Sequence, residues 1–319
     1  MRSRLRFPII VLAILVVALV AVPWLRDPET KRLDAPNVAE FPGSYVLLDN
    51  GYVRYLLEGP ENAETVLLVG GLTTSLEFFD DTARFLNDAG FRTLRFDLYG
   101  RGGSARPADV AYDRQTFVQQ IDSLLDHLTL HQKIHVVGQS LGGGISVAWA
   151  VENPQKVRSL SIHASAGYVP ELPTTAAVLN MPGLGDYVWW NIGNGFIDGD
   201  LGKYFPDPDL HAAKIERLGA QFDAAEQYKG YRRAILTTIR NFRAHDMSAE
   251  FSRLDANEIP VMMVWGQLDT VIPIEAADTL IEWMQGTPDF VRLDGVGHMP
   301  LIQAPEETLD LLLKHIKEH

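Results

Sequence analysis

Gly138-Gln139-Ser140-Leu141-Gly142-Gly143-Gly144 is the stretch on which the reading of this chain turns. The short run Ile134–Val137 before it predicts a strand, and Leu141–Glu152 after it predicts a helix. A Gly-x-Ser-x-Gly turn between a strand and a helix is too tight for bulky flanking residues. It lifts the serine hydroxyl above the end of a sheet. The new helix points its first backbone N–H groups at the same place, where negative charge is favoured. Ser140 is therefore a candidate nucleophile.

Working outward, strand and helix alternate. Strands are expected at Tyr45–Leu48, Val53–Leu57, Val66–Val69, Thr93–Phe96, Leu160–Ile162, Val261–Trp265 and Val291–Leu293. The first two flank Asp49-Asn50-Gly51, a hairpin signal. Helical patterns fall at about Leu76–Asn87, Arg114–Leu128, Ile274–Met284 and Glu306–His315. Short apolar runs separated by helices predict an α/β fold with a mostly parallel central sheet and helices on both faces. From about Gly167 to Asp255 the alternation stops, leaving helical patterns at Leu210–Phe222 and Tyr231–Phe242 and several aromatic clusters. An insertion between two strands of one sheet explains this.

Three further loops follow predicted strands. Val69-Gly70-Gly71-Leu72-Thr73 has two glycines that let backbone approach a substrate. Trp265 to Pro273 contains Asp269, and Gly295-Val296-Gly297-His298-Met299-Pro300 contains His298. A serine hydroxyl needs a base near neutral pH, and an imidazole fills that role. A carboxylate on the far ring nitrogen fixes the tautomer and stabilises the imidazolium. The order Ser140, Asp269, His298 suits this fold. The N–H groups of Leu72 and Leu141 are the expected oxyanion donors. His127, His131 and His135 gather at a helix–strand junction and read as solvated.

These motifs resemble those of the α/β-hydrolase superfamily over about residues 44–319. Phe96-Asp97-Leu98-Tyr99-Gly100-Arg101-Gly102-Gly103-Ser104-Ala105-Arg106-Pro107 is similar to the family's loop signature before the nucleophile, and its residues are carried over as scaffold. Gly70 stands where the family's first loop usually has His. Ala164-Ser165-Ala166-Gly167 offers no acid at the alternative acid position, which supports Asp269. Ser140 argues against the dehalogenases and epoxide hydrolases of this fold, which carry Asp at the turn. The resemblance implies a core of residues 44–166 and 256–319, with a helical cap at 167–255. In that cap Met181, Tyr187, Trp189, Trp190, Phe196 and Phe205 are expected to line an apolar acyl pocket. It also implies a serine hydrolase of carboxylic esters that needs no cofactor or metal. Esters of monoacylglycerol or lysophospholipid type are the expected substrates. The same triad also serves thioesterases, amidases, C–C bond hydrolases and cofactor-free haloperoxidases. A binding relative without catalysis, and a structural membrane partner acting through its cap, are the remaining alternatives.

Composition sets the frame. The 319 residues are 46% hydrophobic and 22% charged, values of a globular chain rather than a disordered one. No cysteine is present, so thiolate nucleophiles, disulfides and Cys-bound zinc are excluded. The formal charge of −13, with no basic run, argues against nucleic acid as a partner.

The N-terminus reads as a membrane signal. Phe7 to Leu25 carries no charge, and as a helix it would span about 28 Å against a hydrocarbon core of about 30 Å. Arg2, Arg4 and Arg6 precede it, and Trp24 marks its far edge. A single-pass anchor at residues 1–26 is expected, with the body extracytoplasmic and a polar, proline-containing linker at 27–43. The rival is a cleaved secretory signal, for which the apolar region is long and the exit site poor.

Overall fold

A computed structural model describes residues 27–33, 40–169, 174–197 and 201–319, with backbone alone at 174–176 and 192–197. The expected membrane helix lies outside the described residues. Among the described residues no helix is long and apolar enough to cross a membrane.

Eight strands form one sheet: β1 (Ser44–Leu48), β2 (Gly51–Glu58), β3 (Thr65–Val69), β4 (Arg92–Phe96), β5 (Ile134–Gln139), β6 (Val157–His163), β7 (Val261–Gly266) and β8 (Asp289–Leu293). Their order is β1-β2-β4-β3-β5-β6-β7-β8. The β1–β2 hairpin and the β2–β4 pair are antiparallel, and every other pair is parallel. The central strands β3, β5 and β7 are buried along their whole length. Alternate residues therefore feed two cores. Leu67, Val69, Val136 and Met263 pack on one face, and Val66, Leu68, Val137, Met262 and Val264 on the other.

The helices are α1 (Asp80–Asp88), α2 (Arg114–His127), α3 (Leu141–Glu152), α4 (Thr174–Leu179), α5 (Leu184–Ile197), α6 (Ala212–Glu226), α7 (Tyr231–Phe242), α8 (Ser248–Phe251), α9 (Glu275–Trp283), α10 (Pro300–Gln303) and α11 (Pro305–Glu318). The first core takes Phe117 and Ile121 of α2, Ile145 and Trp149 of α3 and Leu280 of α9. The second takes Leu86 of α1 and Leu309, Leu312 and Ile316 of α11. It continues into Trp189, Phe222 and Ile235 from α5, α6 and α7. Those helices lie in the insertion between β6 and β7.

His135 corrects the reading of a solvated histidine cluster. It is 1% exposed, because β5 is covered on both sides, and its Nδ1 lies 2.8 Å from Ser159 Oγ. His127 and His131 are exposed. The stretch expected as a linker is partly docked. Glu29 is buried, and its carboxylate accepts from the N–H groups of Gly230 and Arg232 at 2.7 and 2.6 Å, at the start of α7. Lys31 exchanges backbone hydrogen bonds with Gln227 and Lys229.

Candidate active site

Ser140 joins β5 to α3 at φ 56°, ψ −121°. A positive φ at a non-glycine residue costs about 1–3 kcal/mol and persists only where its surroundings enforce it. Here the Ser140 N–H donates to the His163 carbonyl at 2.9 Å, and the Ser140 carbonyl accepts from Gly143 and Ala166, each at 2.9 Å. Glycine is needed at Gly138 and Gly142 because the turn leaves no room: a Cβ at Gly138 would lie 2.4 Å from the Gly142 carbonyl, and one at Gly142 2.1 Å from the Val69 carbonyl.

His298 and Asp269 arrive from the loops after β8 and β7. His298 Nε2 lies 3.0 Å from Ser140 Oγ, and His298 Nδ1 lies 2.8 Å from Asp269 Oδ2. The ionised carboxylate can only accept, so Nδ1 carries the ring proton and Nε2 is left to accept from the serine hydroxyl. The second oxygen, Asp269 Oδ1, accepts from the N–H groups of Val271 and Ile272 at 2.8 and 3.0 Å. These bonds hold the carboxylate rigid, and both Asp269 and His298 are only 6% exposed.

The Gly70-Gly71-Leu72 loop follows β3, beside β5. A Cβ at Gly71 would sit 3.5 Å from Ser140 Cβ, so the loop backbone runs directly past the serine. The loop is tied down by Gly71 N–H on Thr74 Oγ1 at 2.6 Å and by Arg101 Nε on the Leu72 carbonyl at 2.9 Å. Leu141 opens α3, where the first N–H groups have no partner within the helix. The Asp97 signature is scaffold: Asp97 is fully buried and accepts from Arg54, Leu76 and Gly103.

A turn nucleophile, an acid and a histidine, each after a parallel strand of one sheet in this chain order, match one known architecture. A family model for the alpha/beta hydrolase fold covers residues 64–194. The fold is that of the α/β hydrolases. The hydrolase is 27% identical over 272 residues to Lipase 1 of Psychrobacter immobilis, covering 84% of this chain and 81% of that one. It is 25% identical over 287 residues to the 2-hydroxymuconate semialdehyde hydrolase of Pseudomonas putida, covering 90% and 98%. The crystal structure of a membrane phospholipase A, a bacterial virulence factor, shares the fold with a TM-score of 0.66 at 22% identity, covering 100% of this chain and 99% of that one.

Above Ser140 the hydrolase has a cavity of about 160 Å³ that opens to solvent. Leu72, Gln139, Ser140 and His298 form its floor, and Trp189, Tyr204, Phe222, Ile235 and Ile239 come from the insertion. Of the expected pocket residues, Trp189 lines it. Met181 does not: it is 50% exposed in the turn between α4 and α5. Trp190 does not either, because the step of one residue along α5 turns it away from the cavity, and the guanidinium of Arg232 covers its ring at 4.7 Å. The side chain of Phe196 lies outside the described residues. Phe205 is buried against His211 instead.

Sequence reasoning missed Tyr204, Phe222, Ile235 and Ile239, whose patterns are those of any amphipathic helix or loop aromatic. It also missed Gln139, whose side-chain N–H donates to the His298 carbonyl at 2.8 Å. Its place beside Ser140 was the only signal. Asp289, His315 and His319 are grouped closely enough to offer metal ligands, but Asp289 begins β8 whereas His298 follows its end.

Proposed function

We propose that this protein is a serine hydrolase of hydrophobic carboxylic esters. The observation that carries the reading is the chain of two hydrogen bonds from Ser140 Oγ through His298 to buried Asp269. As Ser140 Oγ attacks the ester carbonyl, its proton passes to His298 Nε2. Asp269 stabilises the imidazolium through Nδ1. The N–H groups of Leu72 and Leu141 take the charge that develops on the carbonyl oxygen. His298 then gives its proton to the leaving alcohol, leaving an acyl group on Ser140. Water, deprotonated by His298, attacks that acyl group, and the acid leaves.

The cavity walls favour an apolar acyl chain. Leu72, Phe78, Trp189, Phe222, Ile235 and Ile239 face the space beside the nucleophile, and the relatives named as lipases point the same way. Monoacylglycerol or lysophospholipid esters fit this description. We further propose that residues 1–26 anchor the enzyme as a single-pass segment with its catalytic body extracytoplasmic.

Labelling with a fluorophosphonate, followed by peptide mapping, tests the nucleophile. The label is expected on Ser140 and is expected to be lost in His298→Ala. A Ser140→Ala variant with full activity would overturn the mechanism. An ester series of rising chain length tests the substrate class; kcat/KM that falls steadily from acetate upward counts against it. Carbonate extraction of membranes tests the anchor: the full chain should stay with the pellet, and a chain lacking residues 1–26 should not.

A second reading keeps the triad and changes the bond, as the likeness to a 2-hydroxymuconate semialdehyde hydrolase allows. Turnover of a vinylogous keto acid in preference to any ester would favour it.

A further inference from the structure

Arg101 is fully buried within the loop signature between β4 and α2. Its Nη1 donates to the Tyr99 carbonyl, its Nε to the Leu72 carbonyl and its Nη2 to Thr238 Oγ1, each at 2.9 Å. The Thr238 hydroxyl spends its own proton on the Ala234 carbonyl at 2.8 Å, so toward Arg101 it acts only as an acceptor. All three hydrogen-bond partners of the guanidinium are thus neutral oxygens, and the face of the Phe117 ring lies 5.5 Å from its central carbon. Among the described residues no carboxylate pairs with it. Burial pulls its pKa down to about 10, which leaves it a cation at neutral pH.

A buried cation without a counter-ion is a poor way to stabilise a fold. Structures that break such a local rule tend to do so where function requires it. Two relationships show what this one serves. First, the Leu72 carbonyl belongs to the peptide next to the Leu72 N–H, in the loop that passes Ser140. Fixing that carbonyl restrains the donor, which is separated from it only by the two backbone dihedrals of Leu72. Second, Thr238 lies on α7, the helix that also supplies Ile235 and Ile239 to the cavity wall. The same helix reaches the loop again through Tyr231, whose hydroxyl lies 3.2 Å from the Thr73 carbonyl.

We propose that Arg101 is a positioning residue for the oxyanion loop: it holds the Leu72 peptide in register with Ser140, ties that register to the cap helix α7, and adds an uncompensated positive charge behind the site where the oxyanion forms. The proposal rests on the reading of Leu72 N–H as an oxyanion donor. A substrate chain seated against Ile235 and Ile239 bears on the helix that sets the donor, so the binding of a long acyl group and the alignment of the oxyanion hole are linked.

The test compares Arg101→Met, Arg101→Lys, Thr238→Val and the Arg101→Met/Thr238→Val double variant with the full chain. It uses steady-state kinetics on a p-nitrophenyl ester and thermal unfolding by circular dichroism. Losing one oxyanion donor costs about 10²–10³ in kcat. Arg101→Met, which misaligns a donor without deleting it, should lower kcat by about 10–100-fold, with KM changed by less than about threefold. Arg101→Lys, which keeps the charge and loses the fork, should recover part of the loss. Thr238→Val should lower kcat less, and should add nothing in the Arg101→Met background, because the tether is already cut.

Wild-type kcat in Arg101→Met would overturn the proposal, as would a loss no larger than the fraction unfolded. An equal effect of Thr238→Val in both backgrounds would overturn the tether. If Arg101→Met does not fold, Arg101→Lys and Thr238→Val still decide, since unchanged kcat in both excludes positioning. Ser140→Ala separates the two readings. Inactive Ser140→Ala with unaltered Arg101 variants removes this proposal alone, whereas active Ser140→Ala removes the mechanism beneath it.

Discussion

The side-chain amide of Gln139 donates to the backbone carbonyl of His298 at 2.8 Å, joining the residue before the nucleophile to the base that serves it. The base loop is held from its other side as well. Gln303 accepts from Gly297 N–H at 2.6 Å and donates to the Tyr204 carbonyl at 2.5 Å. His298 is thus located by the side chains of Gln139 and Gln303, in addition to Asp269. Gln139→Leu should leave the His298 carbonyl unpartnered and loosen this loop. We expect kcat to fall about tenfold with KM little changed, and stability to fall by about 1 kcal/mol. Gln139→Glu, which sets an acceptor against an acceptor, should be worse. Kinetics equal to wild type in both variants would show that Asp269 alone locates the ring.

Asp269→Asn keeps an oxygen for the Val271 and Ile272 N–H groups, so the loop should stand. It removes the acceptor that fixes the proton on His298 Nδ1. A loss of about 10⁴ in kcat is expected, as where tautomer control is lost in other triads. Single-turnover acylation with an activated ester gives the number directly, and a loss below tenfold would mean that the carboxylate does not set the tautomer.

Gly142→Ala places a methyl group 2.1 Å from the Val69 carbonyl and 2.5 Å from the Gly70 carbonyl. Both neighbours are backbone, so β3 and α3 must separate. Destabilisation of about 2 kcal/mol or more is expected, together with loss of activity, because the same shift opens the nucleophile turn. Urea unfolding measures the first effect and fluorophosphonate labelling the second.

Acid should destabilise this protein through its buried histidines. Burial depresses His163 to about 3, and His135 and His315 to about 4, from an ordinary value of 6.5. The folded state therefore binds fewer protons than the unfolded chain below about pH 6.5. The stability these neutral rings contribute is present above that pH and is lost as the pH falls toward 4. Each contributes a slope of up to about 1.4 kcal/mol per pH unit. His315→Leu removes one of these buried imidazoles and should make the slope shallower. Equal slopes in wild type and His315→Leu, from urea unfolding at several pH values, would exclude His315 as a contributor.

By itself the sequence determined the order of the eight strands and the identity of the two residues that join Ser140 in the site. Both are local in origin. A short apolar run can be buried on two sides only as a strand of a covered sheet, and a turn that admits only glycine at Gly138 and Gly142 announces itself in the letters. What lies over the nucleophile was decided by tertiary structure alone. Trp189 and Trp190 are neighbours in sequence, and only the packing of α5 sends one into the cavity and leaves the other beneath the Arg232 guanidinium. Arg101 and Gln139 read as loop residues, because their partners stand 137 and 159 positions away along the chain. Hydrogen bonds over such separations leave no periodic trace in sequence. They exist only once the sheet has brought its loops to one edge and the cap helices have closed over them.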